Sequence, residues 1–120
     1  MTAAELQNLI EEATFDYTMG DQADARDKIS RATAAAPDSF AAWHASAEIH
    51  LNMRDFDKAL RAAEKAHALN SEDVCINTTL SRIWVQKGNK EQAEKFGAQA
   101  KMLGWKDQLK TPPGEAEGIN

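Results

Sequence analysis

Alanines stand at Ala25, Ala59 and Ala93 and again at Ala32, Ala66 and Ala100, both series advancing by 34 residues. The same step relates the small residues Ala13, Ala47 and Ser81, the apolar Phe15, Ile49 and Ile83, and the polar Asp21, Asp55 and Asn89. A fixed period with small residues at set phases is how stacked helical hairpins appear in a sequence, because each close helix crossing needs a small side chain. Little of the 120-residue chain is left over for a separate catalytic domain.

Local signals predict six helices between the repeats' landmarks. Thr2 followed by Glu5 is a capping box that opens the first, and Gly20 suits the left-handed residue that ends it. Asp21 caps the second, which Pro37 stops; Asp38 or Ser39 caps the third, ending near Arg54. Asp55 opens the fourth, which ends near Asn70. Ser71 or Asp73 opens the fifth, closed by Gly88, and Asn89 with Gln92 forms a second box for the sixth. Gly104 is expected to close that helix, with Trp105 folded back on its last turn. The polar stretch beyond, holding Pro112, Pro113, Gly114 and Gly118, is expected to be a mobile tail.

The pattern resembles the tetratricopeptide repeat (TPR) family, whose unit is 34 residues in a helix-turn-helix arrangement. The middle unit carries it best, through Trp43, Ala47, Phe56, Ala59, Ala63 and Ala66. The first shows Leu9, Ala13, Gly20, Ala25, Ala32 and Pro37 but has Glu12 and Asp16 where the family is usually apolar or aromatic. The third shows Leu80, Trp84, Gly88, Ala93 and Ala100 but has Asn77 in the tryptophan slot. The fold so implied is all-α: a right-handed α-solenoid of three repeats and six antiparallel helices, with a short flexible tail. Residues 1–107 would hold repeats at about 6–39, 40–73 and 74–107, and residues 108–120 the tail.

Composition fits such a domain, with 42% apolar residues and a content of Ala, Glu, Lys and Gln that favours helix. No stretch approaches the ~20 apolar residues of a membrane span. The opening MTAAELQNLIEE lacks a basic region followed by an apolar run, so no secretory signal is read and a cytoplasmic location is expected. The lone Cys75 has no partner for an intramolecular disulfide.

Residues that could carry chemistry are sparse. His44 and Glu48 lie four apart on one helix face. Without a third ligand near them, a helix-face hydrogen bond or ion pair is the better reading. His50 falls where the family uses an aromatic ring, and His67 lies near a helix end, where a cation is favourable. The glycines form no phosphate-binding loop, and no nucleophile stands at a defensible spacing from a base. No catalytic residue, metal or cofactor is expected.

In proteins that resemble this one the first helix of each pair lines an inner groove. The matching positions are Gln7, Ile10, Thr14, Tyr17 and Thr18; then Ala41, His44, Glu48, Leu51 and Asn52; then Cys75, Thr78, Arg82, Val85 and Gln86. Tyr17, Leu51 and Val85 make an apolar row, Thr18, Asn52 and Gln86 a polar one, and Thr14, Glu48 and Arg82 a mixed one. Such rows could anchor an extended peptide, with amides bonding its backbone. Alternatively, Leu51 and Val85 pack between units and Glu48 with Arg82 is a structural ion pair. The set that clamps a terminal carboxylate in chaperone-binding members is absent, since Ile10, Thr14, Ala45, Cys75 and Thr79 hold its places.

Charge is graded along the chain: residues 6–39 carry a net −4, residues 40–73 a net −2 and residues 74–107 a net +3. Nucleic acid is not an expected partner, because the basic residues are spread and lack interleaved aromatics, and the whole chain is at −5. Two functions are carried forward. One is a non-enzymatic adaptor or chaperone-like module holding a peptide segment or helix of another protein; the other is a scaffold of copies stacked through uncapped ends.

Overall fold

The computed structural model describes residues 1–110 of the chain. It consists of α1 (Ala3–Thr18), α2 (Gln22–Ala35), α3 (Phe40–Asn52), α4 (Phe56–Leu69), α5 (Val74–Gln86) and α6 (Lys90–Lys110). The fold is all-α, with no strand among the described residues.

Polar side chains set the helix starts. Thr2, Asp21, Ser39, Asp55 and Asp73 each accept a hydrogen bond from the backbone N–H three residues on, which satisfies a donor that no helical carbonyl can reach. Asn89 does the same for Gln92 at 3.0 Å. The Thr2 box closes in both directions, Glu5 Oε1 accepting from Thr2 N–H at 3.3 Å. At the far ends, Gly20 and Gly88 take φ of +86° and +78°. Arg54 occupies the register-equivalent place at φ +65°. A side chain there costs about 1–2 kcal/mol, offset in part by its guanidinium lying 5.2 Å from the Phe56 ring centroid.

Consecutive helices form three hairpins, α1 with α2, α3 with α4 and α5 with α6. Hairpins join through α2 against α3 and α4 against α5. In addition α1 touches α3 and α3 touches α5, whereas the backbones of α2 and α4, and of α4 and α6, stay apart, the latter pair meeting through side chains such as the His67 and Phe96 rings, edge to face at 5.7 Å. The first helices of the hairpins therefore lie on the inner side of a curved stack. The alanine series sits at the crossings: Ala25, Ala32, Ala59 and Ala66 are fully buried, and Ala93 and Ala100 nearly so. One core cluster joins Leu9, Ile10, Ala13, Ile29 and Ala32 to Ala42 and Ile49; the next joins Ala47, Leu51, Ala59, Ala62, Ala63 and Ala66 to Ile76, Leu80 and Ile83. Ile49 and Ile83, equivalent in register, each pack into the hairpin before their own.

The tryptophan slot explains one departure from the repeat pattern. Trp43 Nε1 donates to Pro37 O at 2.7 Å, tying the helix to the preceding loop. Asn77, fully buried, donates from Nδ2 to Ser71 O at 3.0 Å and Asp73 O at 2.8 Å. Ser71 stands in register with Pro37, so the amide performs the indole's loop contact.

The end of the sixth helix departs from the sequence expectation. α6 runs through Gly104 and Trp105 to Lys110, and Trp105 is exposed on its surface rather than folded back. A glycine inside a helix costs only about 1 kcal/mol, and Leu103, Lys106, Gln108 and Leu109 around it are good helix formers. The first proline to follow is Pro112, and it is the residue before a proline that is disfavoured in helix. Residues 108–110 thus belong to α6 rather than to a tail; the remainder of the expected tail, residues 111–120, lies outside the described residues.

Candidate functional site

The inner face is built from α1, α3 and α5, and its centre is a polar knot around Glu48. Thr79 Oγ1 donates to Glu48 Oε1 at 2.6 Å, and Arg82 Nη1 lies 3.5 Å from Oε2. His44 Nε2 stands 3.6 Å from Oε1, an ion-pair separation rather than a hydrogen bond. The His44 ring first, then the Thr79 hydroxyl and the Arg82 guanidinium, outweigh partial desolvation and lower the Glu48 carboxyl to a pKa of about 2. The knot joins α3 to α5 and leaves Glu48 ionised at neutral pH. Among the described residues no group of three or more His, Cys, Asp or Glu is placed to hold a metal.

Sequence reasoning named His44, Glu48 and Arg82 but missed Thr79, which donates the shortest of these bonds. Its signals were a place in the absent carboxylate-clamp set and a hydroxyl one residue beyond Thr78, and hydroxyls in helices usually bond their own backbone. Thr78 does so, donating to Val74 O; Thr14 donates to Ile10 O and Thr18 to Thr14 O. These three have their donor hydrogens engaged and offer a ligand a methyl group and an acceptor oxygen.

The apolar row is divided. Leu51 is only 6% exposed and belongs to the central core cluster, and Ile10 is buried in the first. Both were candidate groove residues: Ile10 packs between hairpins instead, and Leu51 packs there too while still reaching the groove with the small part of it left uncovered, burial of an aliphatic side chain gaining about 1.5–3 kcal/mol. Tyr17 is half-buried, its hydroxyl donating to Asn52 O at 3.3 Å. Val85 is 61% exposed. Gln7, Ala41 and Cys75 are exposed at equivalent places near the helix starts, and Gln7 donates to Glu11 at 3.0 Å.

Five of the candidates meet at one concavity. Asn52, Arg82, Val85 and Gln86, over a floor of Leu51, line a depression of about 330 Å³ completed by Arg54 and Phe56. It offers an apolar wall, two amides and two guanidiniums. Its rim continues through Phe56 and Asp57 to Lys87, which pairs with Asp57.

This fold is found in a secretion chaperone. The Yersinia enterocolitica type III secretion translocator chaperone SycD, crystallised as an alternative dimer, superposes with a TM-score of 0.79 over 98% of this chain and 86% of its own, at 16% sequence identity. Such an identity establishes a shared helical fold and nothing finer. No protein-family model matches the chain, and no curated protein matches it in sequence. Among the described residues no helix is long and apolar enough to cross a membrane.

Proposed function

We propose that the chain is a non-enzymatic, chaperone-like adaptor, working in the cytoplasm, that holds a peptide segment or helix of another protein against its inner face. The observation that carries this reading is the concavity of Asn52, Arg82, Val85 and Gln86, where apolar surface, amides and guanidiniums from two successive hairpins converge. Amides there can bond a peptide backbone while Val85 and the Leu51 floor receive an apolar side chain, and the guanidiniums favour an acidic residue on the ligand. The Glu48 knot holds the two hairpins that supply these groups in fixed relation, which lowers the ordering cost of binding. The chaperone activity of SycD is consistent with this use of the fold.

The test is selection from a displayed library of random peptides, followed by titration of the enriched sequences against the purified chain. Arg82→Ala and Gln86→Ala, both at exposed positions, are expected to weaken binding about tenfold each, near 1.4 kcal/mol. Failure to enrich any sequence, or enriched peptides indifferent to both changes, overturns the proposal.

A further inference from the structure

The two ends of the stack carry surfaces that inside the molecule face one another. Within the stack, Ile49 of α3 and Ile83 of α5 insert into the preceding hairpin. Their register equivalent on α1 is Phe15, which has no preceding hairpin and is 62% exposed. The cluster that holds Ile83 takes Ala47, Leu51, Ala59 and Ala63 from the preceding hairpin, with Ala62 and Ala66. Advancing the first four by the 34-residue step gives Ser81, Val85, Ala93 and Gly97. Those four lie together on the α5–α6 face in an open depression of about 670 Å³, walled further by Gly88, Lys90, Glu94, Ala98 and Lys101. Most of its lining residues are small, as in the interior grooves, and nothing within the described residues fills it.

The charges agree with the same register. At the joint between the second and third hairpins, His67 and Ala68 of α4 face Leu80, Trp84 and Phe96. Carried to the ends, the α4 side becomes Lys101 and Met102, and the opposing side becomes Glu12, Asp16 and Lys28. Lys28 already bridges Asp16 at 2.6 Å and Glu12 at 4.0 Å, so Lys101 would meet two carboxylates that share one ammonium. The first hairpin's net −4 and the third's net +3 point the same way.

We propose that the chain associates head to tail, the α1 edge of one copy seating Phe15 in the α5–α6 depression of the next, with Lys101 facing Glu12 and Asp16. The contact is heterologous, so it leaves one head and one tail open on each dimer and adds further copies as concentration rises. Because the inner faces would run on across the joint, association lengthens the inner surface rather than covering it.

The experiment is light scattering with size-exclusion chromatography on the wild-type chain, on Phe15→Asp, on Ala98→Arg, and on an equimolar mixture of the two variants. Circular dichroism confirms that each variant is folded, and both changes fall on exposed helix surface. Wild-type mass is expected to climb through the concentration series and to fall with added salt. Each variant alone should stay at the mass of one chain. The mixture should form a dimer and stop there, because the intact tail of one variant accepts the intact head of the other. A wild-type chain that stays monomeric overturns the proposal, as does a variant that self-associates alone or a folded mixture that does not pair.

Discussion

The first and third hairpins occupy opposite ends of one stack, and each lacks a neighbour on one side. At the first, positions that hold Ser46, His50 and Ala62 in the middle hairpin and Leu80, Trp84 and Phe96 in the last are taken by Glu12, Asp16 and Lys28. Lys28 pairs with Asp16 and Glu12, and the Asp16 carboxylate beside it raises the Lys28 pKa. At the third hairpin Lys90, Glu94 and Lys101 stand beside Ser81, Val85, Ala93 and Gly97 along the depression, and Val85, Met102, Trp105 and Leu109 are exposed. At one end ionic groups replace the apolar side chains of an interior joint, whereas at the other the small-residue groove of such a joint is kept with charged side chains beside it. Phe15 and Met19 stay exposed at the first end, and Phe15 is the one in register with the residues that such a joint receives.

The largest effect that sharpens this contrast lies in one register column. Ile83→Ala should destabilise the fold by about 2–5 kcal/mol in urea unfolding, whereas Phe15→Ala should change it by under about 0.5 kcal/mol in the monomer. Comparable losses would mean that Phe15 is packed and the first end is closed. Next comes the buried amide of the third hairpin: Asn77→Ala removes its bonds to Ser71 and Asp73 and should cost about 1–3 kcal/mol by the same assay. At the middle hairpin, Arg54→Gly should raise stability by about 1 kcal/mol, bringing its left-handed position into line with Gly20 and Gly88.

Glu48 sets a pH dependence. Its folded pKa is depressed from 4.5 to about 2, so its contribution is present above pH 4.5 and is lost as pH falls towards 2. Because the side chain is 36% exposed, solvent screening reduces that contribution to about 1 kcal/mol. Glu48→Gln should flatten the acid limb of the stability profile by that amount, with other carboxylates still titrating. The smallest effect concerns the last crossing. Gly97→Ala should be within about 0.5 kcal/mol of neutral, because a better helix former is opposed by a Cβ lying 3.1 Å from Ser81 Oγ. In a Ser81→Ala background the same change should stabilise by about 1 kcal/mol.

Most of the architecture was legible because a local signal was tied to a geometric need. Alanine at every crossing, a cap at every helix start and a left-handed residue after the first helix of every hairpin are each required by close packing or by unsatisfied backbone groups. The end of α6 was misread because Gly104 looks like a stop when judged alone, while helix continuation depends on all its neighbours. The inner face was legible as a set of positions but not as a surface. Period and phase say which helix side a residue is on; they do not say whether Leu51 and Ile10 turn into the joint or out of it, since that depends on the distance between hairpins. The Thr79 bond to Glu48 spans two hairpins and is specified by stacking geometry alone.

Hydrogen exchange followed by mass spectrometry, at low and at high protein concentration, tests the contrast between the ends most directly. At low concentration α3, α4 and α5 should be the most protected elements, and the last turns of α6 beyond Leu103 the least. At high concentration protection should be gained at the Phe15 edge of α1 and along the α5–α6 depression together. Protection that is independent of concentration, or gained at one end without the other, would contradict the account.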